Sequence, residues 1–151
     1  MLFRSNYVPG KKSKSIAVGP GGQFIFYTGG ESTGESVRRA LETCGALAGG
    51  ACMIVAIDDA FVVPVPTAFK VTGLFEAASN SSIAADARGD VARKLAGPGW
   101  NAVAVGASGR PGLALKAASE QTAVSDALGN CAKSDSDCHV IAIGPFSIGP
   151  N

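Results

Sequence analysis

The chain has 151 residues, of which 46% are hydrophobic and 17% are charged, and its net charge is +1. This composition is typical of an ordinary globular protein and argues against a nucleic-acid partner, since such binders carry a marked basic excess. Every apolar run is shorter than the roughly 18 residues that a membrane-spanning helix requires, so no transmembrane segment is predicted.

Residues 1–14 are predicted to form a flexible, solvated N-terminal arm. The arm is mostly polar and contains the one basic cluster of the chain, formed by Arg4, Lys11, Lys12 and Lys14. It lacks the apolar stretch of a secretory signal. The chain is therefore expected either to stay in the cytoplasm or to have lost its signal peptide, and the cysteines bear on that choice.

Two stretches, 15–66 and 101–151, repeat one pattern at an offset of 87 residues, which becomes 86 after one residue is dropped from a loop. The aligned segments are Ile16–Gly19 with Val103–Gly106, Ala40-Leu41 with Ala127-Leu128, Cys44 with Cys131, and Cys52 with Cys138. Because these segments keep one order, we interpret the two stretches as an internal duplication of a β-β-α-β unit.

In the first copy, Ile16–Gly19 and Gln23–Thr28 are predicted to form a hairpin through the turn at 20–22. A capping box, Ser32 with Glu35, then begins a helix. The apolar face of that helix is formed by Val37, Ala40, Leu41, Cys44 and Leu47. Cys52–Ile57 is predicted to be the third strand, and Phe61–Val65 an edge strand limited by prolines.

Residues 67–100 lie between the copies and are too apolar for a free linker. Phe69–Phe75 is predicted to form a strand. A helix follows, because Ile83, Ala87, Val91 and Leu95 recur every four residues, and it should end before Gly97-Pro98-Gly99. We expect this insert to pack against both copies.

The four cysteines hold the same two places in each copy, at the end of the helix and before the third strand. The repeat favours Cys44–Cys52 and Cys131–Cys138 disulfides, because each bridge then stays within its own unit. Reduced, buried thiols are the alternative. Disulfides would place the protein in the periplasm or outside the cell. The paired cysteines are too far apart in sequence for the usual zinc spacing, so no metal is predicted.

Residues 29–36 have the frame of a phosphate-binding loop between a strand and a helix. Glu35 replaces the essential lysine of that motif and would repel phosphate. We interpret the segment as a capped helix start and predict no nucleotide or other cofactor.

Asp58-Asp59 is the most prominent polar feature, because paired carboxylates bind cations or perform acid–base chemistry. The second copy has Gly144-Pro145 at this place, which favours a turn. His139, the single histidine, aligns with Met53 and is interpreted as an ordinary strand residue. Three further residues have structural interpretations: Asp135 and Asp137 as turn residues, and Trp100 as a packing residue. No complete catalytic set is predicted.

The repeated pattern A-V-G…G…S-x-x-x-x-V-x-x-A-L-x-x-C…C-x-[VI]-[VI]-A-I resembles the small secreted domains of unknown function grouped as family 4189. The segments that carry the likeness are Ala40–Cys44, Cys52–Ile57 and Asp58-Asp59 in the first copy, and Ala127–Cys131 and Cys138–Ile143 in the second. They span about two thirds of the chain, which departs from the family in its long insert. The resemblance implies export and intramolecular bridges, and no activity.

The predicted fold is α+β: two disulfide-stapled β-β-α-β units with pseudo-two-fold symmetry form one compact domain. Its helices are expected on one side of a largely antiparallel sheet. The predicted function is a non-catalytic binding or interaction module of the bacterial envelope, presenting an exposed apolar patch or groove around Phe24, Phe26 and Tyr27. Its partner would be a protein or a small ligand, and a homodimer is also considered.

The sequence leaves two other functions open. One is a small hydrolase or ligand-binding enzyme that uses Asp58, Asp59 or His139, which should then line one enclosed pocket. The other is an inhibitor of a secreted enzyme, which would act through a protruding loop.

Overall fold

The computed structural model describes residues 6–19, 23–95 and 99–149. The chain divides into two compact units, Met1–Val63 (unit 1) and Pro64–Asn151 (unit 2), where one domain was predicted. Each unit combines helix with one antiparallel sheet, and each contains one disulfide, which confirms the predicted α+β class. Arg4, the turn at 20–22 and Gly97-Pro98 lie outside the described residues.

The described residues of unit 1 form a 16-residue helix and a four-stranded sheet. Its elements are β1 (Ser15–Val18), β2 (Phe24–Tyr27), α1 (Thr33–Ala48), β3 (Met53–Ile57) and β4 (Ala60–Phe61). The strand order is β2-β1-β3-β4. The edge strand predicted at Phe61–Val65 is therefore shorter and earlier, since pairing with β3 ends at Phe61. Pro64 has no N–H group to extend the ladder.

Helix α1 begins where its sequence predicts, but only one of the two hydrogen bonds of the predicted capping box is formed. Ser32 Oγ accepts a hydrogen bond from the Glu35 N–H group at 3.1 Å, whereas the Glu35 carboxylate accepts from Glu31 instead of Ser32. Ala40 and Cys44 are fully buried against the sheet, as predicted. Leu47 lies one turn beyond Cys44 and is 66% exposed, so its assignment to the buried face is wrong.

Unit 2 contains a five-stranded sheet. Its elements are β5 (Lys70–Leu74), two 3-10 turns (Ala77–Ser79 and Ala85–Ala87), α2 (Arg88–Lys94), β6 (Trp100–Val105), β7 (Pro111–Ala117), α3 (Glu120–Ala132), β8 (His139–Ile143) and β9 (Phe146–Gly149). The strand order is β5-β9-β8-β6-β7. Strands β6 to β9 thus follow the same order as β1 to β4, with β5 added at one edge. The duplication and its pseudo-two-fold symmetry stay predictions.

The sheet of unit 2 is covered on both faces. Ala102, Ala104 and Ile143 pack on the α3 side. Val103 and Val105 point to the opposite face, where they pack against Ile83, Val91 and Leu95 of the insert. The prediction of helices on one side is therefore wrong for unit 2. The physical reason is that residues 101–105 are all buried, which requires cover on both faces of β6.

Candidate functional site

Both predicted disulfides are present. Cys44–Cys52 and Cys131–Cys138 each join the end of a helix to the start of the next strand, with sulfur–sulfur distances of 2.10 and 2.03 Å. Cys44 and Cys131 are fully buried, and both belong to the core between helix and sheet. The bridges therefore lock the helix of each unit onto its own sheet.

Asp58-Asp59 forms the two-residue turn between β3 and β4, in agreement with its interpretation as a turn. Asp58 adopts a left-handed conformation (φ 51°), and Gly144 does the same at the matching turn of unit 2 (φ 57°). The Asp58 carboxylate accepts a hydrogen bond from the Lys14 N–H group at 3.1 Å, and its own N–H group donates to the Lys14 carbonyl at 2.8 Å. Asp58 is thus used to hold the chain before β1.

Lys14 is a buried cation, with a side chain only 2% exposed. Its ammonium group donates to the carbonyls of Tyr7 and Val8 at 3.0 and 2.8 Å and pairs with the Asp59 carboxylate at 3.0 Å. These contacts use all three donors of the ammonium group. Tyr7 is also buried, so the prediction of a solvated arm is wrong for Tyr7 and Lys14. The polar groups of Tyr7 and Lys14 form these contacts only when the chain is folded.

The pKa values of Tyr7 and Asp59, which both contact Lys14, are shifted away from neutral pH. Burial, followed by the charges of Asp58 and Asp59, raises the pKa of Tyr7 to about 12. The phenol therefore stays protonated and donates to the Asp58 carbonyl at 2.8 Å. The hydrogen bond from Lys14 lowers the pKa of Asp59, which keeps that carboxylate ionised. The Lys14–Asp59 ion pair and the hydrogen bonds around it therefore connect the segment before β1 to the β3–β4 turn.

Residues 29–36 have the frame of a phosphate-binding loop, but the first backbone N–H groups of this segment already donate hydrogen bonds within the protein. The N–H groups of Gly29 and Gly30 donate to the carbonyls of Lys11 and Ser13, each at 2.9 Å. The Glu35 carboxylate lies at the start of α1, where hydrogen bonds from Glu31 and Arg39 lower its pKa. This geometry agrees with a capped helix start.

His139 lies at the start of β8, paired with Val105, and its side chain is exposed. Its Nδ1 atom is 3.5 Å from the Asp137 carbonyl. Asp58 and Asp59 belong to unit 1, whereas His139 belongs to unit 2. Asp58 and Asp59 both contact Lys14, and His139 has its polar contact with the Asp137 carbonyl.

Asp135 organises the loop between β6 and β7, a role that the sequence did not indicate. Hydrogen bonds from Ser108, Ser136 and Arg110 lower the pKa of its carboxyl group to about 2. The corresponding N–H groups lie 2.8 to 3.2 Å from the carboxylate oxygens. Asp135 therefore fastens the disulfide-bridged loop of residues 131–138 to the neighbouring hairpin.

The aromatic residues Phe24, Phe26 and Tyr27, around which an apolar patch or groove was predicted, do not share one face of β2. The three side chains are half-buried. Phe26 packs edge-to-face against Tyr7 at a centroid distance of 6.0 Å. Tyr27 packs against the α1-side core, with the Arg39 guanidinium 5.5 Å from the centre of its ring. Neighbouring residues of a strand point to opposite faces, so these aromatic side chains are divided between two faces. Trp100 packs against the α3-side core, as interpreted.

A groove in unit 2 lies between α3 and the segment that leads into β5. Its volume is about 530 Å³, and its lining residues are Ala68, Phe69, Glu120, Gln121, Val124, Ser125 and Leu128. Phe69, Val124 and Leu128 are half-buried and contribute apolar side chains to its lining. The volume is within the usual range for sites that bind small ligands.

One wall of this groove is held by Glu120, the first residue of α3. Its carboxylate accepts hydrogen bonds from the N–H groups of Thr67 and Ala68 at 3.1 Å and from Thr67 Oγ1 at 3.2 Å. No lysine or arginine within residues 6–19, 23–95 and 99–149 forms an ion pair with Glu120. Sequence reasoning missed this groove because Thr67 and Glu120 are 53 residues apart.

The described residues contain no group of three or more His, Cys, Asp or Glu side chains that could hold a metal ion. No helix in the described part of the chain is long and apolar enough to cross a membrane.

Comparisons with protein-family models, curated proteins and solved structures find no match to this chain. The resemblance to family 4189 therefore stays a prediction that depends on the sequence motifs alone.

Proposed function

We propose that this chain is a non-catalytic binding module of the bacterial envelope, and that the groove beside α3 is its binding surface. The observation that carries the proposal is the groove itself. It combines an open apolar surface, formed by Phe69, Val124 and Leu128, with a wall that Glu120 holds in place through four hydrogen bonds. A site that is formed before the ligand arrives loses little conformational entropy on binding.

The comparison of the two units supports a binding role for unit 2. In α1 of unit 1, Val37 and Leu41 stand at the positions that Val124 and Leu128 hold in α3. The other wall of the groove belongs to residues 68–69, directly before β5. The described part of unit 1 has no strand in the place of β5. The insert thus adds strand β5 and one wall of the groove to unit 2, and the described part of unit 1 has no counterpart of that strand.

The two disulfides support an exported location, because such bonds persist in oxidising compartments and are rare in the cytosol. We place the protein in the periplasm or outside the cell. Alkylation of thiols in intact native cells, followed by mass spectrometry, tests this placement. All four cysteines should resist alkylation until a reductant is added, and four modified thiols without reductant would contradict export.

Binding is tested by nuclear magnetic resonance of the full ¹⁵N-labelled chain, titrated with a library of small apolar and cationic fragments. Fragments should shift the amide signals of Phe69, Val124 and Leu128. Ser125→Trp, which places an indole in the groove, should weaken binding by about tenfold. Asp126→Trp is the matched control on the exposed surface of the same helix and should leave binding unchanged. Shifts confined to other residues would contradict the proposal.

A further inference from the structure

We infer that the Cys44–Cys52 bridge is a redox-sensitive link, which a dithiol reductant opens while Cys131–Cys138 stays closed, and that its opening releases the last turn of α1. This bridge belongs to unit 1, whereas the groove beside α3 belongs to unit 2. Three features distinguish the two bridges: the anchoring of the loop that each one closes, the approach of each helix to its hairpin, and the glycine content of the loop.

The reaction is thiol–disulfide exchange. Cys44 is fully buried and Cys52 is partly exposed, so a thiolate of the reductant attacks the Cys52 sulfur. A bond forms between these two sulfur atoms, the Cys44–Cys52 bond breaks, and Cys44 leaves as a thiolate that takes up a proton. The second thiol of the reductant then displaces the Cys52 sulfur, which also takes up a proton. The reductant is oxidised to its own disulfide, and the protein gains two electrons and two protons.

The loop closed by the second bridge is also held by hydrogen bonds to the β6–β7 hairpin. The Asp135 carboxylate accepts from the N–H groups of Ser108 and Arg110 at 3.1 to 3.2 Å. The Ser136 carbonyl accepts from the Ala107 N–H group at 2.9 Å. Because these bonds do not involve sulfur, the loop should keep its place after reduction. The two thiols then stay close together, which favours re-formation of the bridge.

The loop closed by the first bridge is attached to its hairpin by apolar contact. In the described part of unit 1, no hydrogen bond joins residues 45–51 to the β1–β2 hairpin. The Gly49 N–H group donates to the Gly45 carbonyl at 3.0 Å, within the loop itself. The loop touches the hairpin at Gly19, where a Cβ atom would lie 2.8 Å from the Ala48 Cβ atom. The position of this loop therefore depends on the bridge more strongly than in unit 2.

The two helices also differ in how closely they approach the hairpin. Ile25 of β2 and Gly112 of β7 are 87 residues apart, the offset of the two copies, and each pairs with the equivalent alanine of the neighbouring strand. At Gly112 the backbone of β7 touches the backbone of α3 at Cys131. In unit 1 the half-buried Ile25 packs against the cluster that contains Cys44. Backbone contact thus holds Cys131 close to its sheet without the bridge, whereas Cys44 depends on side-chain packing.

The glycine content of the first loop favours its opening. Three of the seven residues at 45–51 are glycine, whereas residues 132–137 contain none. Glycine loses more conformational freedom on folding than any other residue, so it gains the most when a segment is released. Leu47, in the last turn of α1, is 66% exposed, and little apolar burial therefore opposes unwinding of this turn. After reduction, α1 should end near Cys44.

The first experiment compares the two bridges in the natural full chain. The protein is equilibrated with mixtures of reduced and oxidised dithiothreitol, the thiols are trapped by alkylation, and mass spectrometry measures the reduced fraction at each cysteine. Cys44–Cys52 should be half reduced at a reduced-to-oxidised ratio about tenfold lower than Cys131–Cys138 requires. Equal ratios, or a lower ratio for Cys131–Cys138, would overturn the inference.

A variant of the second loop tests whether its anchoring makes the difference. Asp135→Ala removes the carboxylate that binds the hairpin, and it should lower the ratio for Cys131–Cys138 by about fivefold. Asp137→Asn is the matched control, because it removes a negative charge from the same loop, and it should leave the ratio unchanged. A bridge that resists reduction equally in Asp135→Ala and in the natural chain would contradict the role of this anchoring.

The structural consequence is measured by hydrogen exchange at the ratio that reduces the first bridge alone. Amides of residues 45–52 should exchange at least about tenfold faster than in the fully oxidised chain, because the last turn of α1 unwinds. The Ala107 amide, bonded to Ser136, should keep its rate. Unchanged exchange at 45–52 would show that reduction releases nothing. Loss of protection throughout unit 1 would show general unfolding. Either result would overturn the release of the last turn.

Discussion

Replacing Gly112 by alanine should destabilise unit 2, because β7 and α3 touch backbone to backbone at this glycine. A Cβ atom at Gly112 would collide with the Cys131 amide nitrogen and the Ala127 carbonyl oxygen, and would lie 2.6 Å from the Cys131 Cα atom. Ordinary contacts begin at 3.4 Å. The helix would therefore have to move away by at least about 0.8 Å to admit one methyl group.

The helix cannot make that movement freely. Cys131 is fully buried and is bridged to Cys138, so the end of α3 is tied to the start of β8. Overpacking a core typically costs about 1–3 kcal/mol. Since the collision involves backbone rather than a flexible side chain, we expect the upper end of that range, about 3 kcal/mol, for Gly112→Ala.

Urea unfolding followed by circular dichroism measures this loss, with Gly129→Ala as the matched control. Gly129 lies in α3, and a Cβ atom there would meet nothing within 4 Å. Alanine in place of an interior helical glycine stabilises by about 0.5–1 kcal/mol, so the same added methyl group should have the opposite sign at Gly129. If Gly112→Ala were as stable as the natural chain, the close approach of α3 to β7 would be refuted.

Three further predictions concern the polar and covalent links. Removal of the second bridge by Cys131→Ala with Cys138→Ala should lower the free energy of unfolding by about 2.4 kcal/mol, measured by chemical denaturation. Asp135 has a pKa of about 2 in the folded chain against an ordinary 3.8. Its stabilising contribution should be complete above about pH 4 and lost as the pH falls through about 2, while Asp135→Asn should lack this dependence in acid titrations followed by circular dichroism. Lys14→Met should cost about 1–3 kcal/mol in thermal or urea unfolding, because it leaves buried carbonyls without a donor, and Lys12→Met, at an exposed position, should cost little.

Local pattern accounts for much of the fold. The matched cysteine positions predicted both disulfides, and the helical spacing of Ala40 with Cys44 and of Ala127 with Cys131 predicted the buried faces of α1 and α3. These features depend on residues that are close in sequence, so their periodicity reports the structure directly. The turn at Asp58-Asp59 was also predicted from the sequence, whereas the left-handed conformation of Asp58 is known only from the structure.

Only the tertiary structure shows which residues that are far apart in the sequence lie next to one another. The pairing of β5 with β9 joins residues that are 72 to 79 positions apart, and no periodicity in either strand specifies its partner. Lys14 belongs to a mostly polar segment, which predicted a solvated side chain. It is buried because its ammonium group contacts the carbonyls of Tyr7 and Val8 and the carboxylate of the distant Asp59. The groove likewise exists only once Glu120 binds the backbone at Thr67. The sequence alone thus predicted which faces of the helices and strands point to a core. The tertiary structure determined which residues pack against each face, because the burial of a polar or apolar group depends on partners that local spacing does not encode.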